Sequence, residues 1–232
     1  MRRRHRHFNP KDAGATAAFD ARYGIAVAND AAVDTWTNRV GSNNATQSTV
    51  ASRPVFKATG GSNNSPTLQF ANQNLTHTVS LTVAPNLMMA VALRTSGTGG
   101  APLGAFMPAN TALFNILYGD GFGTGGVNWG STPTNSGQSI LNTWRILSAK
   151  PSSTATSNSS TTVWTDGANE TTSTGNRYAG DGADRRNIGG GGNTTNFAGS
   201  ISFVVAIPAD VGNPLRKRLE HAAAYSFKIA CN

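Results

Sequence analysis

The chain has 232 residues, 38% of them apolar, and no apolar run nears the ~20 residues of a membrane-spanning helix; one all-β domain fits this length, and such a span is excluded. Its 27 Thr, 20 Ser, 23 Asn and 26 Gly stand beside a charged share of 13%, about half the usual ~25%, a composition of short strands and turns that excludes a helical bundle. A single cysteine, Cys231, excludes a disulfide framework, and the net charge of +8 is gathered at the two ends of a nearly neutral body.

Residues 1–15 read as a basic arm, with Arg2, Arg3, Arg4 and Arg6 packed into its start. They run into Phe8-Asn9-Pro10 without the roughly 7–15-residue apolar stretch of a secretory signal, so no signal peptide and no export by the usual route are expected. Basic termini of this kind serve as arms for nucleic acid or acidic protein surfaces, and a merely solvated terminus has the same composition. Residues 16–232 read as the domain. Strands are expected at residues 16–20 and 33–37, then a Gly/Ser/Asn turn at 39–44, then strands at 54–56 and 67–70. Val79, Leu81 and Val83 alternate across residues 76–83, the period of a half-buried strand. The unbroken apolar run of residues 87–93 reads as a central strand buried on both faces.

Further on, residues 112–118 precede a Gly-rich loop that reaches Gly126 and leads to Val127-Asn-Trp129. Residues 139–149 carry Trp144, and 150–160 read as an exposed Ser/Thr loop. Residues 161–166 with Gly167 read as a strand and turn, Gly189–Gly192 as a hairpin or bulge, and 201–207 as a second strongly apolar strand. The one helix spans about 213–226, with Asn213 as cap, Pro214 in the first position, and Leu215, Leu219, Ala222 and Ala223 on one face.

These residues contain an ordered set of motifs. Phe19-Asp20-Ala21, Trp36 to Gly41, Ala45-Thr-Gln47, Arg53-Pro54 and Leu68-Gln-Phe70 come first. Trp144, Val163-Trp-Thr-Asp-Gly167, Ile188-Gly-Gly190, Phe197-Ala-Gly-Ser-Ile201 and the closing helix follow. In this order they resemble the laminin-G-like, concanavalin A-like lectin/glucanase domains found in phage and bacterial proteins. The resemblance implies an all-β fold, a concanavalin A-like jelly-roll sandwich of two antiparallel sheets with a short C-terminal helix. Asn38 stands where that family often carries Asp, and Val40 where it often carries Ser, so no metal or ligand site is carried over there.

Catalysis is not expected. Glycosidases use a carboxylate pair about 5–10 Å apart, and related glucanases carry Glu-x-Asp-x-x-Glu on one strand. Here the only glutamates are Glu170, in a polar turn, and Glu220, in the helix. Asp181 and Asp184 offer oxygen ligands for calcium or belong to a solvated loop of local ion pairs, and both readings stand. His5, His7, His77 and His221 have no metal spacing, so neither metal nor cofactor is expected, and Cys231 reads as a spare thiol.

A glycan site needs an exposed aromatic bordered by amides and carboxylates. Tyr118, Asp120, Asn128 and Trp129 supply these parts around the Gly-rich loop, with Trp164 and Tyr178 as further candidates. Trp36, Trp144 and Trp164 are expected in the core, and Trp129, flanked by Asn128 and Gly130, is the least core-like tryptophan. The leading expectation is a non-enzymatic virion structural protein, a phage capsid decoration or head-fibre module made in the host cytoplasm. Its arm would anchor it to capsid subunits or to copies of itself. The alternative is a soluble carbohydrate-binding module for surface glycans. No membrane partner is expected, and nucleic acid only through the arm, because aromatics are not interleaved with Arg and Lys in the body.

Overall fold

The structure, a computed structural model, describes residues 9–79, 87–96, 101–107, 116–119, 124–129, 132–151, 159–175, 185–190, 197–209 and 211–231. Among these, the strands are β1 (Ala17–Asp20), β2 (Thr35–Trp36), β3 (Ala45–Thr46), β4 (Val55–Lys57), β5 (Thr67–Ala71), β6 (Leu75–Thr76), β7 (Leu87–Ser96) and β8 (Ala101–Met107). They continue as β9 (Ile116–Gly119), β10 (Thr124–Trp129), β11 (Thr132–Ser139), β12 (Arg145–Pro151), β13 (Ser159–Thr165), β14 (Ala168–Gly175), β15 (Arg185–Ile188) and β16 (Ala198–Ile207), and helix α1 (Asn213–Phe227) closes the chain. One antiparallel sheet runs β14-β13-β12-β7-β16-β5-β4, with β1 also paired to β16; the other runs β11-β10-β9-β8-β15-β6-β3-β2. The expected jelly-roll sandwich with a C-terminal helix is what forms.

β7 and β16 lie at the centre because their two faces are covered by different partners. Met88, Ala90 and Ala92 of β7 face the inter-sheet core with Trp36, Leu75 and Ile188 of the second sheet. Leu87, Met89 and Val91 face outward, onto Leu219, Ala223 and Phe227 of α1. A strand buried on both sides reads as a continuous apolar run, which is why residues 87–93 were legible. In β16 the register against β7 slips at Ser202, so Ile201 points into the sandwich and Phe203 outward without breaking the ladder. The helix thus makes a third layer on the first sheet.

Several boundaries differ from expectation. Residues 9–15 belong to the domain: Pro10 is buried, Asn9 Oδ1 accepts from Lys11 N at 3.1 Å, and Ala13 and Ala15 pack on the outer cluster. Of the strand expected at 76–83, Thr76 lies in β6, where it pairs with Asn187 and Thr46, residues 77–79 are in no strand, and 80–83 lie outside the described residues. Lys150 and Pro151 extend β12 by pairing with Thr162 and Thr161. The helix cap is Gly212; Asn213 already lies inside α1, its Oδ1 3.5 Å from Arg216 Nε. The turn at Asp166-Gly167 forms as read, both residues at positive φ (53° and 80°), the conformation of a tight hairpin turn.

Candidate functional site

β1 ends in a carboxylate. Alternation that sends Ala18 outward beneath α1 sends Asp20 the same way, and its side chain is fully buried there. A buried carboxylate needs charged, hydrogen-bonded partners, and Asp20 has two. Arg22 binds it in a fork, Nε to Oδ1 at 2.9 Å and Nη2 to Oδ2 at 2.7 Å, and Arg22 N adds a 3.0 Å bond. Arg39 Nη1 reaches Oδ2 at 3.1 Å from the turn after β2. Burial works against the Arg22 cation, but the hydrogen bonds and charge of Asp20 outweigh it and raise its pKa. The Arg22 guanidinium lies 4.4 Å from the centre of the Phe227 ring, and that of Arg39 lies 4.4 Å from the centre of Tyr23. Tyr23 itself is 63% exposed. Asp20, Arg22, Arg39, Ala222, Ser226 and Phe227 border a narrow cleft between the strand end and the last turns of α1.

α1 divides sharply into two faces. Its inner face carries a buried ion pair, Arg216 Nη1 to Glu220 Oε2 at 2.5 Å, and the Arg216 guanidinium lies 4.1 Å from the centre of the Trp164 ring. Trp164 Nε1 donates to Glu170 at 2.9 Å. Glu220 Oε1 is buried without a hydrogen-bond partner among the described residues. Nearby, burial and then the charges of Glu220 and Asp166 push the Cys231 thiol up to about 11. The outer face holds Lys217, Arg218, His221 and Tyr225, all exposed, with Lys228 just beyond.

Of the residues expected to bind glycan, Tyr118, Asn128 and Trp129 lie on two neighbouring strands of the second sheet. Asp120 lies outside the described residues, as do Tyr178, Asp181 and Asp184 and the arm residues Arg2, Arg3, Arg4 and Arg6. Tyr118 lies on β9, opposite Gly126, while Asn128 and Trp129 lie on β10. Trp129 is therefore a strand residue, because Asn128 pairs with Pro133 and Trp129 with Thr132 in the β10–β11 hairpin. Glu170 lies on β14 and not in a turn.

No protein-family model matches the chain, and no curated protein sequence matches it. Solved structures do. Domain 4 of AbnA, a GH43 extracellular arabinanase from Geobacillus stearothermophilus solved in complex with arabinotriose, matches with a TM-score of 0.59 at 11% identity, covering 90% of this chain and 98% of that one. The Trypanosoma rangeli sialidase in its covalent complex with 2,3-difluorosialic acid matches with a TM-score of 0.57 at 14% identity, covering 90% of this chain and 33% of that one. A mutant of that sialidase with trans-sialidase activity gives a TM-score of 0.57 at 14% identity over 95% of this chain and 34% of that one. The fold is a concanavalin A-like sandwich. Identities this low carry the fold alone, and the chain spans about a third of the sialidase chains it matches.

Within the sandwich, the motifs of the resemblance serve the scaffold. Phe19, Trp36, Ala45, Phe70, Ile188, Phe197 and Ile201 all lie in the inter-sheet core. Asn38 is buried; its Oδ1 accepts from Ala18 N and Val40 N, and its Nδ2 donates to Thr16 O, so it ties the turn to β1. Arg53 donates to the carbonyls of Gln47 and Ser48, and Gln47 Nε2 to Asn74, which locks a loop corner. The expected core positions of Trp36 and Trp164 hold, and Trp144 is partly buried against the outer cluster. Composition missed the Asp20–Arg22–Arg39 cluster. Its signal was a carboxylate closing an otherwise apolar strand, with arginine two residues on and a tyrosine beside it.

Proposed function

We infer that the chain is a non-catalytic carbohydrate-binding module. The observation that carries this reading is the end-to-end correspondence with a single domain whose structure holds arabinotriose, 98% of that domain and 90% of this chain. The two glutamates support the absence of hydrolysis. Glu220 is sealed under α1 against Arg216, and Glu170 is engaged by the Trp164 indole, so neither is placed as half of an acid–base pair. Tyr23, exposed and bordered by the donors of Arg22 and Arg39, has the make-up of a saccharide subsite: an aromatic platform with polar groups at its rim. The virion role expected from the arm rests on residues outside the described part, and these likenesses give it no support.

Affinity electrophoresis of the full chain through gels containing a panel of neutral and acidic polysaccharides tests the reading. Retardation by at least one of them is expected, with a dissociation constant in the roughly micromolar to millimolar range and no release of reducing sugar. Migration unchanged by every polysaccharide removes the reading.

A further inference from the structure

We propose that the ligand is an acidic polysaccharide, its carboxylate or sulfate groups held by the outer face of α1 and by Arg22 and Arg39 at the adjoining cleft. This rests on the carbohydrate-binding reading and names its ligand class. At about 100° per residue, Lys217, Arg218, His221 and Tyr225 fall within an arc of about 100° on the side away from Leu219 and Ala223, and Lys228 follows just past the last turn. All five are exposed. The one acid of the helix, Glu220, is buried and neutralised by Arg216, so no helix carboxylate offsets this face.

Ala222 and Ser226 carry the surface from that face to the cleft. There Arg22 spends Nε and Nη2 on Asp20 and Arg39 spends Nη1, leaving Nη1 of Arg22 and Nη2 of Arg39 outside those bonds. Two cations against one buried carboxylate leave a net positive charge. The cleft encloses about 20 Å³, room for one water-sized group and not for a sugar ring. A pendant anionic oxygen fits it, and the ring would remain outside. Tyr23 and Tyr225, 63% and 65% exposed, offer apolar surface among these cations. In three dimensions aromatics and basic side chains are therefore interleaved, contrary to the expectation from sequence order. Nucleic acid presents the same charge and would use the tyrosines to stack bases; the match to a saccharide-bound domain favours the polysaccharide.

The test uses the full chain and four probes: polygalacturonate, heparin, neutral arabinan and duplex DNA. Binding to an acidic polysaccharide is expected to exceed binding to arabinan by about tenfold or more, and to weaken about tenfold between roughly 50 and 300 mM salt. The double variant Lys217→Glu/Arg218→Glu, both positions exposed, should keep its melting temperature and lose about tenfold in affinity for the acidic probe. Arg39→Gln should weaken the same probe while Arg22 still holds Asp20. Equal binding of neutral and acidic polysaccharides, unchanged in the variants, overturns the ligand class and leaves the carbohydrate-binding reading standing. Binding to DNA with none to any polysaccharide overturns both, as does no binding to any probe.

Discussion

Gly189 is held at φ +87°, and a Cβ there would lie 2.2 Å from the Phe70 ring. Phe70 is set edge-on against Phe197, ring centres 6.2 Å apart, and both are buried, so the ring has nowhere to retreat. Gly189→Ala is expected to cost about 3 kcal/mol, part backbone strain and part overpacking. The check is a lower urea midpoint at unchanged slope; a loss under about 0.5 kcal/mol would mean that this segment, which joins β15 of one sheet to β16 of the other and is therefore not the expected hairpin, relaxes freely. Cys231 gives a chemical readout at the same scale. Its thiol, raised from the ordinary 9 to about 11 by burial and then by Glu220 and Asp166, holds about a hundredfold less thiolate at pH 8 than a free thiol does. Alkylation by iodoacetamide at pH 8 should be slower by about that factor and accelerate toward pH 11. Because the folded-state pKa lies above the unfolded one, the stabilisation from this thiol is complete below pH 9 and lost as pH rises toward 11. Alkylation at the free-thiol rate would show that the C-terminal segment leaves the helix open.

At the scale of elements, α1 shows what periodicity reveals and what it hides. Leu215, Leu219, Ala222 and Ala223 at helical spacing marked the face that packs, and Leu219 and Ala223 are buried on it. Arg216 and Glu220 lie four residues apart on α1 and form an ion pair. They are buried because the indole of Trp164, from a distant strand, closes over the guanidinium, and nothing local in the sequence encodes that contact. A buried pair contributes little net stability, since desolvation offsets most of the attraction, but removing one partner strands a charge. Arg216→Met alone and Glu220→Gln alone are therefore each expected to destabilise by about 3–5 kcal/mol. The double variant Arg216→Met/Glu220→Leu should recover most of that loss. Denaturation followed by tryptophan fluorescence measures all three; a double variant as unstable as the sum of the singles would mean the pair is not coupled.

At the scale of the whole molecule, the fold was legible because its signals are core signals. The apolar runs of β7 and β16 and the Phe, Trp and Ile positions of the ordered motifs report the interior that any concanavalin A-like sandwich must fill. The binding surface was not legible. Tyr23 meets Arg39, sixteen residues away, because Asn38 pins the turn to β1, and no local pattern encodes that meeting. The same topology makes the chain's end essential to the rest of it. β16 pairs with β1, β5 and β7, so the sheet that begins with residue 17 is completed only by residue 207. Its outer face then presents Leu87, Met89, Val91, Ile146, Phe203, Val205 and Ile207, which α1 covers. Deleting residues 209–232 leaves every strand pairing in place and uncovers those seven side chains. At about 1.5–3 kcal/mol for each large side chain left in water, the loss is on the order of 10 kcal/mol, comparable to the whole stability of a domain. The truncated chain is expected to aggregate or to persist as an expanded state that binds a hydrophobic dye and melts without a cooperative transition. A monomeric truncated chain with a sharp melt and no dye binding would show that the sandwich stands without its third layer.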